Sequence, residues 1–251
     1  MKSIQEWSGT IDQFRTGIME REKNFIKGNI SRSKGLTKVI HKVIYKGCIG
    51  VIFHMIKGFI PFTLVDFPGK VAASIFTGGC NFNCPWCQNR SLIDRDSLSL
   101  IEDIPLNSIL DNLKRKKGKI EGVCITGGEP TVWKDQLFDF ISIIKSEGFL
   151  VKLDTNGSNP EVLQFLLTHK MIDFVAMDIK NVWEKYLMTI GLRSFSLNKI
   201  ESSIELIKNS DIGHQFRTTL VPELVEKSSM EDFAQELDIE IHFQEYRSVF
   251  S

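Results

Sequence analysis

The sequence lacks an excess of charge of either sign. Its 251 residues include 31 lysines and arginines and 31 aspartates and glutamates, which gives a formal net charge of zero. A balanced charge produces no overall field that would attract nucleic acid or an anionic membrane, so we expect neither as a partner. The hydrophobic fraction of 42% and the charged fraction of 25% are close to globular averages and disfavour a disordered or collagen-like chain.

A long hydrophobic run and a disulfide framework are also missing. The apolar run at residues 48–56 is too short to span a bilayer, and it lies too far from residue 1 for an ordinary signal peptide. The five cysteines are an odd number, and three of them fall within eight positions, unlike the disulfide framework of a secreted protein. We therefore predict a soluble protein of a reducing compartment, the cytoplasm.

Charge is nevertheless distributed unevenly along the chain. Residues 1–54 contain 10 lysines and arginines but 4 aspartates and glutamates, whereas residues 55–251 carry the compensating negative excess. Between residues 32 and 46, basic residues alternate with aliphatic ones in the pattern of a basic amphipathic helix. We interpret residues 1–54 as a basic, partly helical N-terminal extension that adds no chemistry. Docking to a membrane surface or a partner is the alternative.

From Val71 onward, short apolar runs alternate with longer amphipathic stretches, which predicts a parallel sheet joined by crossover helices. The six predicted strands are Val71–Thr77, Gly122–Thr126, Phe149–Asp154, Phe174–Asp178, Gln215–Leu220 and Ile239–Gln244. The five predicted helices are Leu106–Lys116, Lys134–Ser146, Pro160–Thr168, Lys199–Lys208 and Ser229–Leu237. The repeat predicts an α/β fold, either an open partial barrel or a doubly wound sheet. In both, ligands bind where strands end and loops begin.

Three cysteines follow the first predicted strand in a C-x3-C-x2-C array: Cys80, Cys84 and Cys87. Two glycines before the array and a proline inside it favour a loop in which three thiolates can surround one centre. Soft thiolates select zinc, copper(I) or an iron-sulfur cluster. A structural zinc normally has four ligands, and no histidine or further cysteine lies close by in sequence. Cys124 falls inside a predicted strand, and we interpret it as a small buried hydrophobe.

A second motif ends the second predicted strand: Thr126, Gly127, Gly128, Glu129 and Pro130. Its glycines allow the backbone to approach a ligand closely, and its glutamate could accept hydrogen bonds from an ammonium group. On its own, a Gly-Gly-Glu-Pro segment would be a simple turn. Because it lies one strand away from the cysteine triplet, we interpret it as part of a binding site.

Polar residues also follow the later predicted strands. Asp154 and Asn156 close the third strand, where a carboxylate can hydrogen-bond ribose hydroxyls, although an Asn-Gly turn that caps a helix is the alternative. Asp178 and Lys180 follow the fourth strand, and Arg217 lies within the fifth. Charged residues of this kind are usually solvated or paired, so spacing alone does not assign them to a site.

The triplet Cys80, Cys84 and Cys87, with the aromatic Trp86 before its third cysteine, resembles the signature of the radical S-adenosylmethionine (radical SAM) enzymes. That resemblance implies an open partial (βα)6 barrel in which the three cysteines hold a 4Fe-4S cluster and leave one iron without a protein ligand. It implies that the G-G-E-P loop holds the methionine amino group of S-adenosylmethionine. Asp178, Lys180 and Arg217 resemble positions that face the cofactor's carboxylate and ribose.

Two further segments indicate which subfamily of the radical SAM enzymes the sequence resembles. The segment at residues 58–70, with its Val-Asp-Phe-Pro-Gly-Lys end, and the segment Arg-Thr-Thr-Leu-Val-Pro at residues 217–222 look like those of anaerobic ribonucleoside-triphosphate reductase activating proteins. This resemblance covers residues 56–247. It implies a glycyl-radical activase that cleaves S-adenosylmethionine reductively and takes hydrogen from a glycine of the reductase. It also implies a low-potential electron donor such as flavodoxin or ferredoxin.

Other functions remain open from the sequence. A radical SAM enzyme of the same kind could activate a formate-lyase-type partner, or could act on a small molecule as a deazapurine-forming synthase does. A different class is a zinc-stabilised or electron-transfer binding module without turnover, although the G-G-E-P loop argues against it.

Overall fold

The computed structural model describes residues 43–45, 48–50 and 53–247. The first two segments are the strands Val43–Tyr45 (β1) and Cys48–Gly50 (β2), which pair antiparallel as a hairpin. The predicted amphipathic helix is therefore wrong for residues 43–45, where the β-branched and aromatic residues of Val-Ile-Tyr favour a strand. The rest of the predicted N-terminal extension lies outside the described residues.

A seven-stranded sheet forms the centre of the fold, and its strands lie side by side in chain order. They are Ile56–Thr63 (β3), Ala72–Thr77 (β4), Gly122–Gly127 (β5), Leu150–Thr155 (β6), Phe174–Asp178 (β7), Gly213–Leu220 (β8) and Ile241–Glu245 (β9). β3 is antiparallel to β4, and every later neighbouring pair is parallel. Within the described residues β3 and β9 do not pair with each other, so the sheet is open.

This architecture confirms the predicted open α/β fold, and the six predicted strands correspond to β4–β9. The strand β3 was not predicted as a strand because its sequence contains Gly58 and Pro61, which normally interrupt one. An edge position tolerates a proline because one side of the strand has no partner to bond.

Helices join the strands: Arg90–Ile93 (α1), Arg95–Ser99 (α2), Leu106–Arg115 (α3), Asp135–Ser146 (α4), Pro160–Thr168 (α5), Trp183–Thr189 (α6), Asn198–Lys208 (α7) and Lys227–Glu236 (α8). The five predicted helices correspond to α3, α4, α5, α7 and α8. The other three have four, five and seven residues, too few to show a helical hydrophobic period. Among the described residues, no helix has the length and apolarity needed to cross a membrane.

The two faces of the sheet differ in polarity, because successive side chains of a strand point to opposite faces. Ile75, Ile125, Leu153 and Val175 share one register row and are fully buried in the core that the helices cover. The opposite face of these strands and of the neighbouring β8 carries polar residues: Ser74, Cys124, Lys152, Asp154, Asp178 and Arg217. The functional groups of the sequence motifs therefore gather on one face.

The hydrophobic core begins before the predicted domain boundary at residues 54 and 55. Phe53 is 4% exposed and packs edge-to-face on Phe140 of α4, with ring centroids 5.6 Å apart. Met55 is fully buried beside the end of β4, where its carbonyl accepts a hydrogen bond from the Gly78 N–H. The division into an extension and a catalytic domain stays a prediction, but the side chain of Phe53 belongs to the core.

Replacing Phe53 by alanine should lower the free energy of unfolding by about 3–5 kcal/mol, because truncating a buried aromatic ring leaves a cavity in the core. Phe62 on β3 is a matched control, since its side chain is 51% exposed, and Phe62→Ala should change stability by less than about 1 kcal/mol. Urea denaturation of the two variants measures the difference. Equal stabilities would contradict the assignment of Phe53 to the core.

Candidate active site

A cavity of about 170 Å³ lies at the C-terminal ends of the parallel strands. It brings together all the predicted site residues except Pro130: Cys80, Cys84, Trp86, Cys87, Thr126, Gly127, Gly128, Glu129, Asp154, Asn156, Asp178, Lys180 and Arg217. Pro130 is buried and begins a short 3₁₀ helix, Pro130–Trp133, directly after the loop. The strand ends thus assemble one site from motifs that are far apart in the sequence.

Two larger cavities lie elsewhere. One of about 1150 Å³ is formed between α5 and α7, and one of about 500 Å³ is lined by residues at the N-terminal ends of β7 and β8. Neither contains a cysteine or a predicted site residue. The chemistry of the lining, rather than the size of the cavity, therefore identifies the candidate site.

Glycines bring the loops after β4 and β5 into direct backbone contact. The Gly128 N–H donates to the Thr77 carbonyl (2.8 Å), and the Glu129 N–H donates to the Gly79 carbonyl (2.8 Å). A side chain on Gly128 would overlap the Gly79 carbonyl, and one on Gly127, whose φ is 113°, would overlap the backbone of Thr77. Only glycine fits there, so the cysteine loop and the G-G-E-P loop lie against each other.

The three cysteines of the loop are free thiols that face the cavity. Cys84 is 7% exposed, and Cys80 and Cys87 are half-buried. Burial, with a contribution from the nearby Glu129 carboxylate, raises the pKa of the Cys80 thiol to about 12, and burial likewise raises the pKa of Cys84. A metal centre bound here would have to displace these protons, because the thiolate is the ligand.

The triplet is not arranged around a single metal ion. In the part of the chain that the structure describes, no group of three or more His, Cys, Asp or Glu side chains has the spacing to hold one ion. A structural zinc site requires four such ligands in close contact with one centre. An iron-sulfur cube, in contrast, is bound by cysteines that are farther apart, since each thiolate bonds a different iron.

Glu129 makes contacts that the sequence did not predict. Its carboxylate is 1% exposed and accepts hydrogen bonds from the Thr131 hydroxyl (2.5 Å) and N–H (3.0 Å), the Thr155 hydroxyl (2.8 Å) and the Asn156 N–H (2.6 Å). Burial raises the pKa of Glu129 against the effect of these donors. The carboxylate therefore joins the ends of β5 and β6, and its expected contact with an ammonium group stays a prediction.

A row of alternating charges crosses three neighbouring strands on the polar face. Lys152 Nζ lies 2.6 Å from Asp154 Oδ1, and Asp154 Oδ2 lies 3.3 Å from Arg217 Nη1. Arg217 in turn donates from Nε to Asp178 Oδ1 (2.9 Å), and Lys180 Nζ donates to Asp178 Oδ2 (3.1 Å). We refer to these five residues as the charge row. Lys152 is 2% exposed and was not predicted as a site residue.

Ion pairing determines the protonation states of Asp178, Lys180 and Arg217. Burial alone would raise the pKa of Asp178, but Arg217 and Lys180 outweigh it and lower that pKa to about 2. Burial alone would lower the pKa of Lys180 and Arg217, and the neighbouring carboxylates outweigh it and raise both. All three groups are therefore charged at neutral pH.

Trp86 ties the cysteine loop to the same side of the cavity. Its indole N–H donates to the Thr189 carbonyl at the end of α6 (3.0 Å). Lys180 Nζ lies 5.2 Å from the centroid of the indole ring, within the range of a cation–π contact. The indole therefore fixes the loop between the second and third cysteines.

Comparison with known proteins identifies the family. Residues 74–237 match the sequence model of the radical SAM superfamily. The chain belongs to this superfamily. It is therefore a radical SAM enzyme, and the superfamily implies a 4Fe-4S cluster and S-adenosylmethionine as its cofactors.

Similar proteins of this superfamily fall into two functional groups. A Methanocaldococcus jannaschii protein is 35% identical over 185 residues, 72% of this chain and 74% of its own, and its name assigns it provisionally to the glycyl-radical enzyme activating enzymes. A second protein of that organism with the same provisional name is 30% identical and covers 64% of this chain and 61% of its own. The 7-carboxy-7-deazaguanine synthase of Thermoplasma acidophilum is 33% identical over 51% of this chain and 54% of its own.

Solved structures agree with the radical SAM fold. A TYW1 structure with a bound lysine-pyruvate adduct has a TM-score of 0.52 and 19% identity, and covers 71% of this chain and 65% of that chain. A structure of anSMEcpe with bound AdoMet has a TM-score of 0.51 and 18% identity, and covers 68% of this chain and 50% of that chain. At these identities the likeness concerns the fold alone.

Several residues line the cavity of this radical SAM enzyme without having been predicted, among them Thr155, Thr219 and Gln244. Thr219 and Gln244 are direct neighbours on β8 and β9, and Thr219 lies two positions after Arg217. Alternate side chains of a strand point to the same face, so the sequence position of Thr219, two residues after Arg217, could have indicated it. Gln244 required knowledge of the strand register.

Replacing Asp178 by asparagine tests the charge row. Because its pKa is lower in the folded state than its usual 3.8, the ionised carboxyl stabilises the fold at neutral pH and loses that effect as the pH falls towards 2. Asp178→Asn should lower the unfolding free energy by about 2 kcal/mol at pH 7, and by progressively less below about pH 4. Urea denaturation across this range checks it, with the exposed Asp96→Asn as control. A deficit that does not vary with pH would contradict the ion-pair assignment.

Proposed function

We propose that this radical SAM enzyme is a glycyl-radical activase that acts on anaerobic ribonucleoside-triphosphate reductase. In this proposal Cys80, Cys84 and Cys87 hold a 4Fe-4S cluster. The observation that carries the proposal is that the three cysteines share one cavity with Gly127, Gly128 and Glu129 and with four of the five residues of the charge row. A reduced cluster held there would supply the one electron needed for reductive cleavage of S-adenosylmethionine to methionine and a 5′-deoxyadenosyl radical, the species that would take hydrogen from a glycine Cα of the partner.

The residues present fit a cluster with one open corner. The three free thiols of one loop line the same cavity, and in this proposal each would bind a different iron. The enclosed volume of about 170 Å³ is below the ~300 Å³ at the lower end of ordinary ligand pockets. In this proposal, side chains that line the cavity therefore move outward when a cluster and a nucleotide bind together.

The charge row has a composition suited to one end of S-adenosylmethionine. It contains three cations and two carboxylates, which leaves one positive charge uncompensated. Lys180 and Arg217 are therefore assigned to the methionine carboxylate. Asp178 is assigned to the orientation of both cations, since it contacts each of them.

The other predicted residues are assigned to the remaining parts of the nucleotide. Asp154 and Asn156 lie at the end of β6, where an acceptor for ribose hydroxyls is expected. Thr126, Gly127 and Gly128 offer backbone groups beside the cysteine loop. Glu129 and Pro130 complete this loop, which the proposal assigns to the methionine amino group, and the Glu129 oxygens accept four hydrogen bonds that hold the loop in place. Trp86 positions the loop between the cysteines.

Two observations support a protein substrate. The relatives from Methanocaldococcus jannaschii are named for glycyl-radical enzyme activation. The sheet is open between β3 and β9 in the described residues, which is compatible with the approach of a polypeptide loop to the cavity. The electron donor of this proposal is a low-potential protein such as flavodoxin or ferredoxin, and the compartment is the cytoplasm.

A small-molecule substrate is the second candidate. It is favoured by the 7-carboxy-7-deazaguanine synthase relatives, which share the same superfamily and cover about half of this chain. Activation of a formate-lyase-type partner would use the same site and differ in the partner alone. The roles assigned to the cysteines and to the charge row are the same for all three candidate substrates.

Substitution of each triplet cysteine by alanine tests the cluster. Cys80→Ala, Cys84→Ala and Cys87→Ala should each abolish S-adenosylmethionine cleavage and lower the iron content after anaerobic reconstitution, because each removes one thiolate ligand. Cys124→Ala is the matched control: Cys124 is fully buried in β5, outside the cavity, and the variant should keep wild-type iron. Stoichiometric zinc without iron in the wild-type protein would contradict the proposal.

Identification of the substrate requires a second measurement. The reduced protein, mixed with S-adenosylmethionine and anaerobic ribonucleoside-triphosphate reductase of the same organism, should produce the electron paramagnetic resonance doublet of a glycyl radical. A reductase in which the radical glycine is replaced by alanine serves as control and should give no doublet. Cofactor cleavage without a doublet from the intact reductase would favour the small-molecule candidate.

A further inference from the structure

The segment after β6 reaches the cysteine loop through a ring of hydrogen bonds. Asn156 Nδ2 donates to Asn81 Oδ1 (3.0 Å), Asn81 Nδ2 donates to Ser158 Oγ (2.7 Å), and the Ser158 N–H donates to Asn156 Oδ1 (2.9 Å). Asn156 Nδ2 also donates to Cys80 Sγ, at a distance of 3.8 Å. A side chain from the strand next to the G-G-E-P loop thus contacts one sulfur of the triplet.

The contacts of Asn156 fix which end of its amide faces the sulfur. Its oxygen accepts the Ser158 N–H, and a flipped amide would place two donors against each other there. Its backbone N–H is held by Glu129 Oε2 at 2.6 Å, and the residue is 6% exposed. The amide nitrogen is therefore directed at Cys80 before any metal binds, as outer-shell partners of metal ligands usually are.

The sulfurs of the triplet are not equivalent in this respect. Cys80 Sγ accepts a second hydrogen bond, from the Phe82 N–H at 3.4 Å. Across residues 53–247, Asn156 is the one side chain found donating to a triplet sulfur. Cys80 is therefore the ligand at which the protein supplies the most hydrogen bonding.

We infer that Asn156 raises the reduction potential of the cluster by donating a hydrogen bond to Cys80. The inference rests on the proposed function, since it needs a cluster on the triplet. One-electron reduction adds negative charge that is shared with the thiolate sulfurs, and an N–H donor stabilises that charge. Asn156 is thus a positioning residue that makes it easier for a low-potential donor to deliver its electron, and it exerts this effect through Cys80 whether or not the nucleotide is bound.

Two variants remove the hydrogen bond from Asn156 to Cys80 and keep an acceptor for the Ser158 N–H. Asn156→Asp has nearly the same shape and keeps an oxygen for the Ser158 N–H, but it removes the donor and adds a negative charge. Asn156→Ser removes the amide donor without adding charge, and its shorter side chain ends in a hydroxyl that can accept the Ser158 N–H as short polar side chains do in turns. Both should shift the midpoint potential to more negative values, and the aspartate should shift it further.

The midpoint potential is measured by an electron paramagnetic resonance titration of the reconstituted protein without S-adenosylmethionine, with iron content determined in parallel. Asn159→Asp is the matched control, since Asn159 lies in the same segment and donates to Thr131 Oγ1 (2.8 Å) rather than to a sulfur. This control places a carboxylate three residues away. Its potential should stay closer to the wild-type value than that of Asn156→Asp.

Each outcome of this experiment decides a separate point. Potentials of both Asn156 variants equal to or above the wild-type value would overturn the inference. So would equal shifts in Asn159→Asp and Asn156→Asp with none in Asn156→Ser, which would indicate a charge effect alone. Loss of iron from both Asn156 variants, with iron retained in Asn159→Asp, would make Asn156 an assembly residue and also overturn it. A wild-type protein without iron would instead contradict the proposed function.

Discussion

The architecture of the site depends on one buried carboxylate. Burial of an anion is costly unless hydrogen bonds replace its water, and Glu129 accepts four, from the 3₁₀ helix after β5 and from the segment at the end of β6. Two strand ends are thereby held together at their last residues. Because the backbone of Glu129 also bonds Gly79, the same residue links both strands to the cysteine loop. A single residue thus links three loops, two of them through its side chain and the third through its backbone.

The charge row has a different effect on the same cavity. Its members lie on or directly after adjacent parallel strands and bind one another through ion pairs, which join β6, β7 and β8 across the polar face of the sheet. Lys152 also makes a contact towards the opposite end of the strands, because its ammonium group donates to the Asp66 carbonyl at 2.6 Å. The Val-Asp-Phe-Pro-Gly segment is therefore connected to the site through a buried lysine, although none of its own residues lines the cavity.

Much of this could be predicted from the sequence, and the failures have physical causes. The strands β4–β9 were predictable because buried parallel strands are continuous apolar runs, and the cysteine triplet because its spacing is local. The strand β3 was not, since glycine and proline interrupt it. Lys152 and Gln244 were missed because their positions follow from the register between strands, which no local pattern encodes. The orientation of Glu129 depends on donors up to 27 residues away and equally could not be predicted.

The order of the strands also has a consequence for synthesis of the protein. Each strand from β4 onward pairs with the one that precedes it in the chain, so a growing polypeptide can extend the sheet one strand at a time behind the ribosome. Glu129 can form its contacts as soon as β6 emerges. Asp154 and Asp178, however, have no arginine to bind until β8 is added. The ion pairs of Arg217 with Asp154 and Asp178 therefore form late in synthesis, after most of the hydrophobic core has been assembled.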